Sequence, residues 1–160
     1  MEILTAIAEK RQVGKNSGVP CYVEISSIIH ATEDLNKVEK AIRNIFPEEF
    51  ANEPYEKSDL MGYHRNPIVT LRTFIREKAK EIAFLKNILC KLEADDKACL
   101  SSEFKNYIDS KGNFYLRLDK QEAFLGKIKL GFDDTIHIKV KLGLTPITLE
   151  ELEFILNTEK

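Results

Sequence analysis

Hydrophobic and polar positions alternate over several stretches of the chain. From Cys21 to Ile29, Val23, Ile25, Ser27 and Ile29 fall on one side and Tyr22, Glu24, Ser26 and Ile28 on the other; with many β-branched residues, this predicts a first strand. Pro67 opens a second alternation, Val69, Leu71, Thr73 and Ile75 against Ile68, Thr70, Arg72 and Phe74, and the latter, more mixed set is the expected solvent face. After a turn at Lys111-Gly112-Asn113, Phe114, Leu116 and Leu118 alternate with Tyr115, Arg117 and Asp119 as a further half-buried strand.

Helical spacing takes over between these runs. Thr32 stands where an N-cap belongs, Glu33 and Asp34 suit the first turn, and Leu35, Val38, Ile42 and Ile45 follow before Pro47 ends the helix. Residues 47–66 are acidic and then turn-rich, with a short strand expected around Tyr55 to Lys57. An amphipathic helix is predicted over Glu77 to Leu92 on the stripe Ile82, Leu85, Leu89 and Leu92, and a shorter one from Asp95 or Ser101 to Ile108. Lys120 to Leu125 reads as a helical turn before Gly126. Thr148 and Glu151 form a capping box ahead of a C-terminal helix. The expected organisation is an N-terminal appendage (1–20), one α+β domain (21–142) and a C-terminal helix (143–160).

Lys127 to Phe132 and Ile136 to Leu142 also alternate, and facing residues of an antiparallel pair must agree on the buried side. A two-residue loop at Asp133-Asp134 would set Leu130 against His137. A three-residue loop ending at Thr135 instead pairs Phe132 with Ile136, Leu130 with Ile138, Lys129 with Lys139 and Lys127 with Lys141. Like charges directly opposed cost a few tenths of a kcal/mol unless an acid or a bound anion offsets them. Lysines on a solvated face that discourage edge-to-edge pairing explain the same residues without a ligand.

Length and composition bound these readings. One hundred and sixty residues, 43% hydrophobic and 31% charged, suit a single soluble domain. No apolar run approaches the ~18 residues of a bilayer span, and the start lacks a secretory pattern, so a cytoplasmic protein without membrane contact is expected. Cys21, Cys90 and Cys99 have no C-x-x-C spacing and indicate neither a disulfide framework nor a zinc site.

The 24 Lys and Arg against 26 Asp and Glu give a net charge of −2, which excludes a general basic coat. That balance averages over blocks. Residues 21–59 sum to −5, 60–92 to +5, 93–110 to −3, 111–142 to +3 and 143–160 to −3. If the strands of the positive blocks share a sheet, Arg72, Arg117, Lys127, Lys129, Lys139 and Lys141 with Tyr115 and His137 fall on its open side. Cations beside aromatics suit phosphate contact with base stacking.

Catalytic patterns are sparse. His30, His64 and His137 have no metal spacing, and no phosphate loop or nucleophile elbow occurs among seven glycines. Asp133-Asp134 and Asp95-Asp96 read as a turn and a helix start. His64-Arg65-Asn66-Pro67 is a polar loop able to grip a phosphate or a base edge, or simply an exposed turn before a strand. No cofactor, no metal and no enzymatic activity are expected.

Several segments resemble a known family. Val23-Glu24-Ile25-Ser26, His30-Ala31-Thr32-Glu33-Asp34, Lys37-Val38 and Ala41-Ile42-Arg43-Asn44 are similar to the opening of archaeal RNA-binding proteins described as a "predicted exosome subunit". The likeness continues at Gly62-Tyr63-His64-Arg65-Asn66-Pro67-Ile68 with Leu71-Arg72, and at Gly112 to Gln121 with Ala123 and Leu125-Gly126. It covers about residues 22–142. The resemblance implies a two-layer α+β sandwich, helices on one face of a largely antiparallel sheet, related in fold to the large-subunit ribosomal protein that contacts 5S RNA. It also implies that His64, Arg65 and Asn66, with Arg72, Arg117 and Lys120, meet RNA, and that RNA-processing proteins are partners. The rival classes are a protein-interaction scaffold, favoured by a neutral charge mosaic, and an RNA-acting enzyme using His64 or His137, which needs a cleft of convergent polar groups.

Overall fold

The computed structural model describes residues 22–48, 55–61, 65 and 67–141. The expected appendage at 1–20 and C-terminal helix at 143–160 lie outside the described residues, as do His64 and Asn66. Five strands, β1 (Tyr22–Ile29), β2 (Glu56–Met61), β3 (Pro67–Ile75), β4 (Asn113–Asp119) and β5 (Thr135–Lys141), form one sheet in the order β2-β3-β1-β5-β4. Every neighbouring pair is antiparallel.

Alternation decides the faces as the sequence predicts. Val23, Ile25 and Ile29 of β1, Leu71 and Ile75 of β3, Phe114, Leu116 and Leu118 of β4, and Ile136, Ile138 and Val140 of β5 are all buried. They meet Val38, Ala41, Ile42 and Ile45 of α1 (Leu35–Ile45) and Phe84, Leu85, Ile88 and Leu89 of α2 (Lys78–Lys91) in one hydrophobic cluster. The result is an α+β fold. Among the described residues, no helix is long and apolar enough to cross a membrane.

Helix ends differ in detail from the expectation. Asp34, not Thr32, caps α1, its Oδ1 accepting from the Asn36 N–H at 2.8 Å. Thr32 falls two residues too early, because Glu33 first closes the preceding loop by accepting the His30 N–H at 2.8 Å. α2 buries Phe84 and Ile88 beside the expected stripe, since the end of α1 also covers it: the Phe46 and Phe84 rings lie 5.1 Å apart, and the Asn87 amide donates to the Ile45 carbonyl at 3.0 Å. The shorter helix becomes α3 (Ala94–Ser102) followed by a 3₁₀ turn (Phe104–Tyr107). α4 (Lys120–Phe124) starts on an Asp119 cap and has its last carbonyls bound by the Asn44 amide at 2.9 and 3.2 Å.

The hairpin is the principal correction. β5 does not pair with residues 127–132, because a strand has only two edges and both are taken, by β1 and by β4. Leu130 instead bridges Leu118, with the Asp119 N–H donating to the Lys129 carbonyl at 2.8 Å and the Gly131 N–H to the Arg117 carbonyl at 3.0 Å. This segment covers the outer edge of β4, which would otherwise be open to a second sheet. Gly131 permits the approach: a Cβ there would stand 2.8 Å from the Asp119 backbone. The opposed lysine pairs do not form, and Lys139 faces Tyr115 while Lys141 faces Asn113.

Candidate nucleic-acid interface

The sheet's second face carries the other half of each alternation. Across it, one row runs Glu56, Arg72, Ser26, His137 and Arg117, and the next runs Phe74, Glu24, Lys139 and Tyr115. Tyr22 stands opposite Lys141 in a third. Sequence separation is large, yet register brings these residues together, because β1 and β5 are neighbours at the centre of the sheet.

Cations and rings interleave over this face. The Lys139 ammonium lies 5.9 Å from the Tyr115 centroid, the Lys141 ammonium 5.9 Å from that of Tyr22, and the Arg76 guanidinium 5.1 Å from that of Phe74. These distances are within cation–π range. Arg72 is held by Glu24, Nε to Oε1 at 3.0 Å. Among the described residues no carboxylate pairs with Arg117, Lys139 or Lys141, so the positive charge concentrates toward β4 and β5. His137 sits between them, and burial, then the Arg117 and Lys120 charges, push its imidazole below the ordinary 6.5. It is therefore held toward the neutral form.

Tyr115 is oriented from below. Its hydroxyl donates to Asp109 Oδ2 at 3.0 Å; the Asn113 amide donates to the same oxygen at 2.9 Å, and the N–H groups of Lys111 and Asn113 donate to Oδ1 at 2.9 Å. Hydrogen bonds from the Asn113 side chain and then its backbone outweigh burial and hold the Asp109 carboxyl down to about 2. A folded value below the ordinary 3.8 means that this carboxylate supports the fold fully above about pH 4 and ceases to as pH falls through about 2. We expect the stability gap between wild type and Asp109→Asn, read by denaturant titration from pH 5 to pH 2, to close over that window. A gap constant across it would remove the charge from the explanation.

Five sequence-predicted site residues, Arg72, Tyr115, Arg117, Lys139 and Lys141, share the open face. Lys127 and Lys129 are exposed in the loop before β5 and do not face Lys139 or Lys141. Arg65 is exposed in a left-handed backbone conformation (φ 59°). Lys120 is not on this face. It is 3% exposed, and its ammonium donates to the Ile28 carbonyl at 2.7 Å, to both Glu33 oxygens at 3.1 and 3.2 Å, and to Asp134 Oδ1 at 2.6 Å. His30, Glu33 and Asp134 converge there, and Lys120 itself supplies the positive charge.

Phe132 too lies elsewhere than the sequence predicts. Taken as an inward position of the hairpin, it is 82% exposed at the rim of the open face. Its setting, Gly131-Phe132-Asp133-Asp134, is turn chemistry around a lone ring, the one signal that could have separated it from the alternation.

Comparison with known proteins identifies the family. A family model described as RNA binding matches residues 22–142. The RNA-binding protein PAB1135 of Pyrococcus abyssi is 34% identical over 131 residues, spanning 80% of this chain and 85% of its own length. Among solved structures, AF2318 from Archaeoglobus fulgidus, of the DUF54 family, superposes with a TM-score of 0.67 at 30% identity, covering 75% of this chain and 84% of that one. Mth689 from Methanothermobacter thermautotrophicus, also DUF54, gives a TM-score of 0.63 at 28% identity, covering 85% and 95%. Matched over nearly its whole described length, the chain belongs to the RNA-binding family of archaeal proteins, DUF54.

Proposed function

We propose that this protein is a non-catalytic RNA-binding protein whose open sheet face meets the nucleic acid. The observation that carries the reading is the meeting of Arg117, His137, Lys139 and Lys141 on adjacent strands beside Tyr22 and Tyr115. Cations neutralise phosphates and release counterions, while rings in the same plane offer stacking surfaces to bases. The family description and the name of the Pyrococcus relative support RNA as the ligand. A place in archaeal RNA processing, beside the exosome, or in translation belongs to the same proposal, with RNA-processing proteins as partners. A neutral mosaic would favour the scaffold reading. Only Arg72 of the open-face cations named here has a carboxylate partner among the described residues, which favours RNA.

The experiment is a salt titration of binding to a mixed RNA pool with the double variant Arg117→Ala/Lys139→Ala. Affinity at low salt is expected to fall by about tenfold or more, and the slope of log affinity against log salt to shrink by about 1–2. Unchanged affinity and slope would overturn the assignment of this face.

A further inference from the structure

Beside β4 and β5 the open face deepens into a groove of about 500 Å³. Tyr115, Arg117, His137 and Lys139 line it from the sheet, Phe132 from the loop before β5, and Tyr107 from the 3₁₀ turn. The volume lies within the range of about 300–1,000 Å³ typical of small-ligand pockets. Its composition is mixed in a particular way. Three aromatic rings border it, while two cations without carboxylate partners among the described residues and one imidazole stand between them.

Each half of that composition selects a ligand feature. Arg117 and Lys139 favour an anion, which disfavours a wholly apolar occupant. Phe132, 82% exposed, presents a ring face to solvent at the rim, and Tyr115 is 39% exposed on the sheet. A duplex offers phosphates but keeps its base faces stacked inside, so it would leave these rings unused. An unpaired nucleotide supplies both a phosphate and a free π-face. The Ser26 hydroxyl and Glu24 carboxylate, also at the groove, provide hydrogen-bonding partners for a base edge.

We propose that this groove takes one unpaired nucleotide of an RNA strand, its base against Phe132 and Tyr115 and its phosphate on Arg117 and Lys139. The assignment rests on the RNA-binding reading above and narrows it: the protein selects single-stranded over paired RNA at this point. Phe132 is the discriminating residue. Its side chain is almost wholly outside the core, so replacing it leaves the hydrophobic cluster intact.

The test uses the full chain, a fluorescent single-stranded RNA oligonucleotide and a blunt duplex of the same sequence. Wild type is expected to bind the single strand more tightly. Phe132→Ala should weaken single-strand binding about tenfold or more and leave duplex binding unchanged, with Phe132→Tyr restoring it. A strand carrying 2-aminopurine should show quenched fluorescence with wild type and lose that change with Phe132→Ala. If Phe132→Ala binds the single strand as wild type does while Arg117→Ala/Lys139→Ala does not, the groove assignment fails and the RNA-binding face stands. Equal losses on single strand and duplex also overturn it. If wild type binds neither at low salt, both readings fall together.

Discussion

Lys120→Met is expected to destabilise the fold by about 2–4 kcal/mol, read as a lowered midpoint in urea or thermal denaturation. Lys120 joins three points away from it in sequence: the end of β1 through the Ile28 carbonyl, the lead into α1 through Glu33, and the lead into β5 through Asp134. Methionine keeps the length of the stem but withdraws the charge, leaving the part-buried Ile28 carbonyl without this donor and two carboxylates facing each other. The Glu33 and Asp134 side chains are 18% and 43% exposed, so water recovers part of the loss and the cost stays below that of a fully buried pair. Burial works against the Asp134 charge, and the Lys120 hydrogen bond and charge overcome it, placing its pKa below the ordinary carboxylate value. RNA affinity of the folded variant should match wild type. A stability change under about 0.5 kcal/mol, or a selective loss of RNA binding, would return Lys120 to the list of RNA contacts.

Phe114→Ala should cost about 3–5 kcal/mol, against about 1 kcal/mol for Phe114→Leu. The ring is fully buried, stands opposite Val140 in the β4–β5 register and lies 5.4 Å from Phe104, whose 3₁₀ turn it anchors to the sheet. Truncation opens a cavity at the point where that turn, the Ile108 bridge and β4 meet. Its neighbours Asn113 and Tyr115 belong to the Asp109 hydrogen-bond cluster, so the strand that loosens is the one presenting Tyr115 and Arg117. Denaturant unfolding measures the cost. A loss below about 1 kcal/mol would show that the site collapses around the cavity and that Phe104 packs elsewhere.

Much of this was readable where local pattern and burial agree. Period-two alternation placed β1, β3, β4 and β5 and put Arg72, Tyr115, Arg117, Lys139 and Lys141 on the outward side of their own strands, which becomes one face because the strands share a sheet. β2 was shorter in expectation because an edge strand reading Glu-Lys-Ser-Asp-Leu-Met has polar residues on both sides and little periodicity to see. The false hairpin arose because alternation reports a face and never a partner. Residues 127–132 match β5 as well as β4 does, and only the saturation of both β5 edges decides the competition. Lys120 illustrates a different limit. Its environment is built from Ile28, Glu33 and Asp134, none of them near it in sequence, so nothing adjacent distinguishes it from the solvated lysines around it. Phe132 was lost to the same hairpin, since a register that buries Ile128 and Leu130 also assigns the next alternate position inward.

The strand order also bears on how the chain assembles during synthesis. β1 is made first, and it pairs on one side with β3 and on the other with β5, where Ile25 meets Ile138, 113 positions later. β3 can dock as soon as it emerges, closing the first half of the sheet. The remaining edge of β1, with Val23, Ile25 and Ile29 on its apolar side, stays open until β5 leaves the ribosome. Such late, long-range closure slows folding and leaves an exposed strand to protect in the interval. The two halves of the open face, Arg72 on one side and Arg117 with Lys139 on the other, are therefore joined only with that last pairing, so the proposed RNA-binding face belongs to the completed sheet.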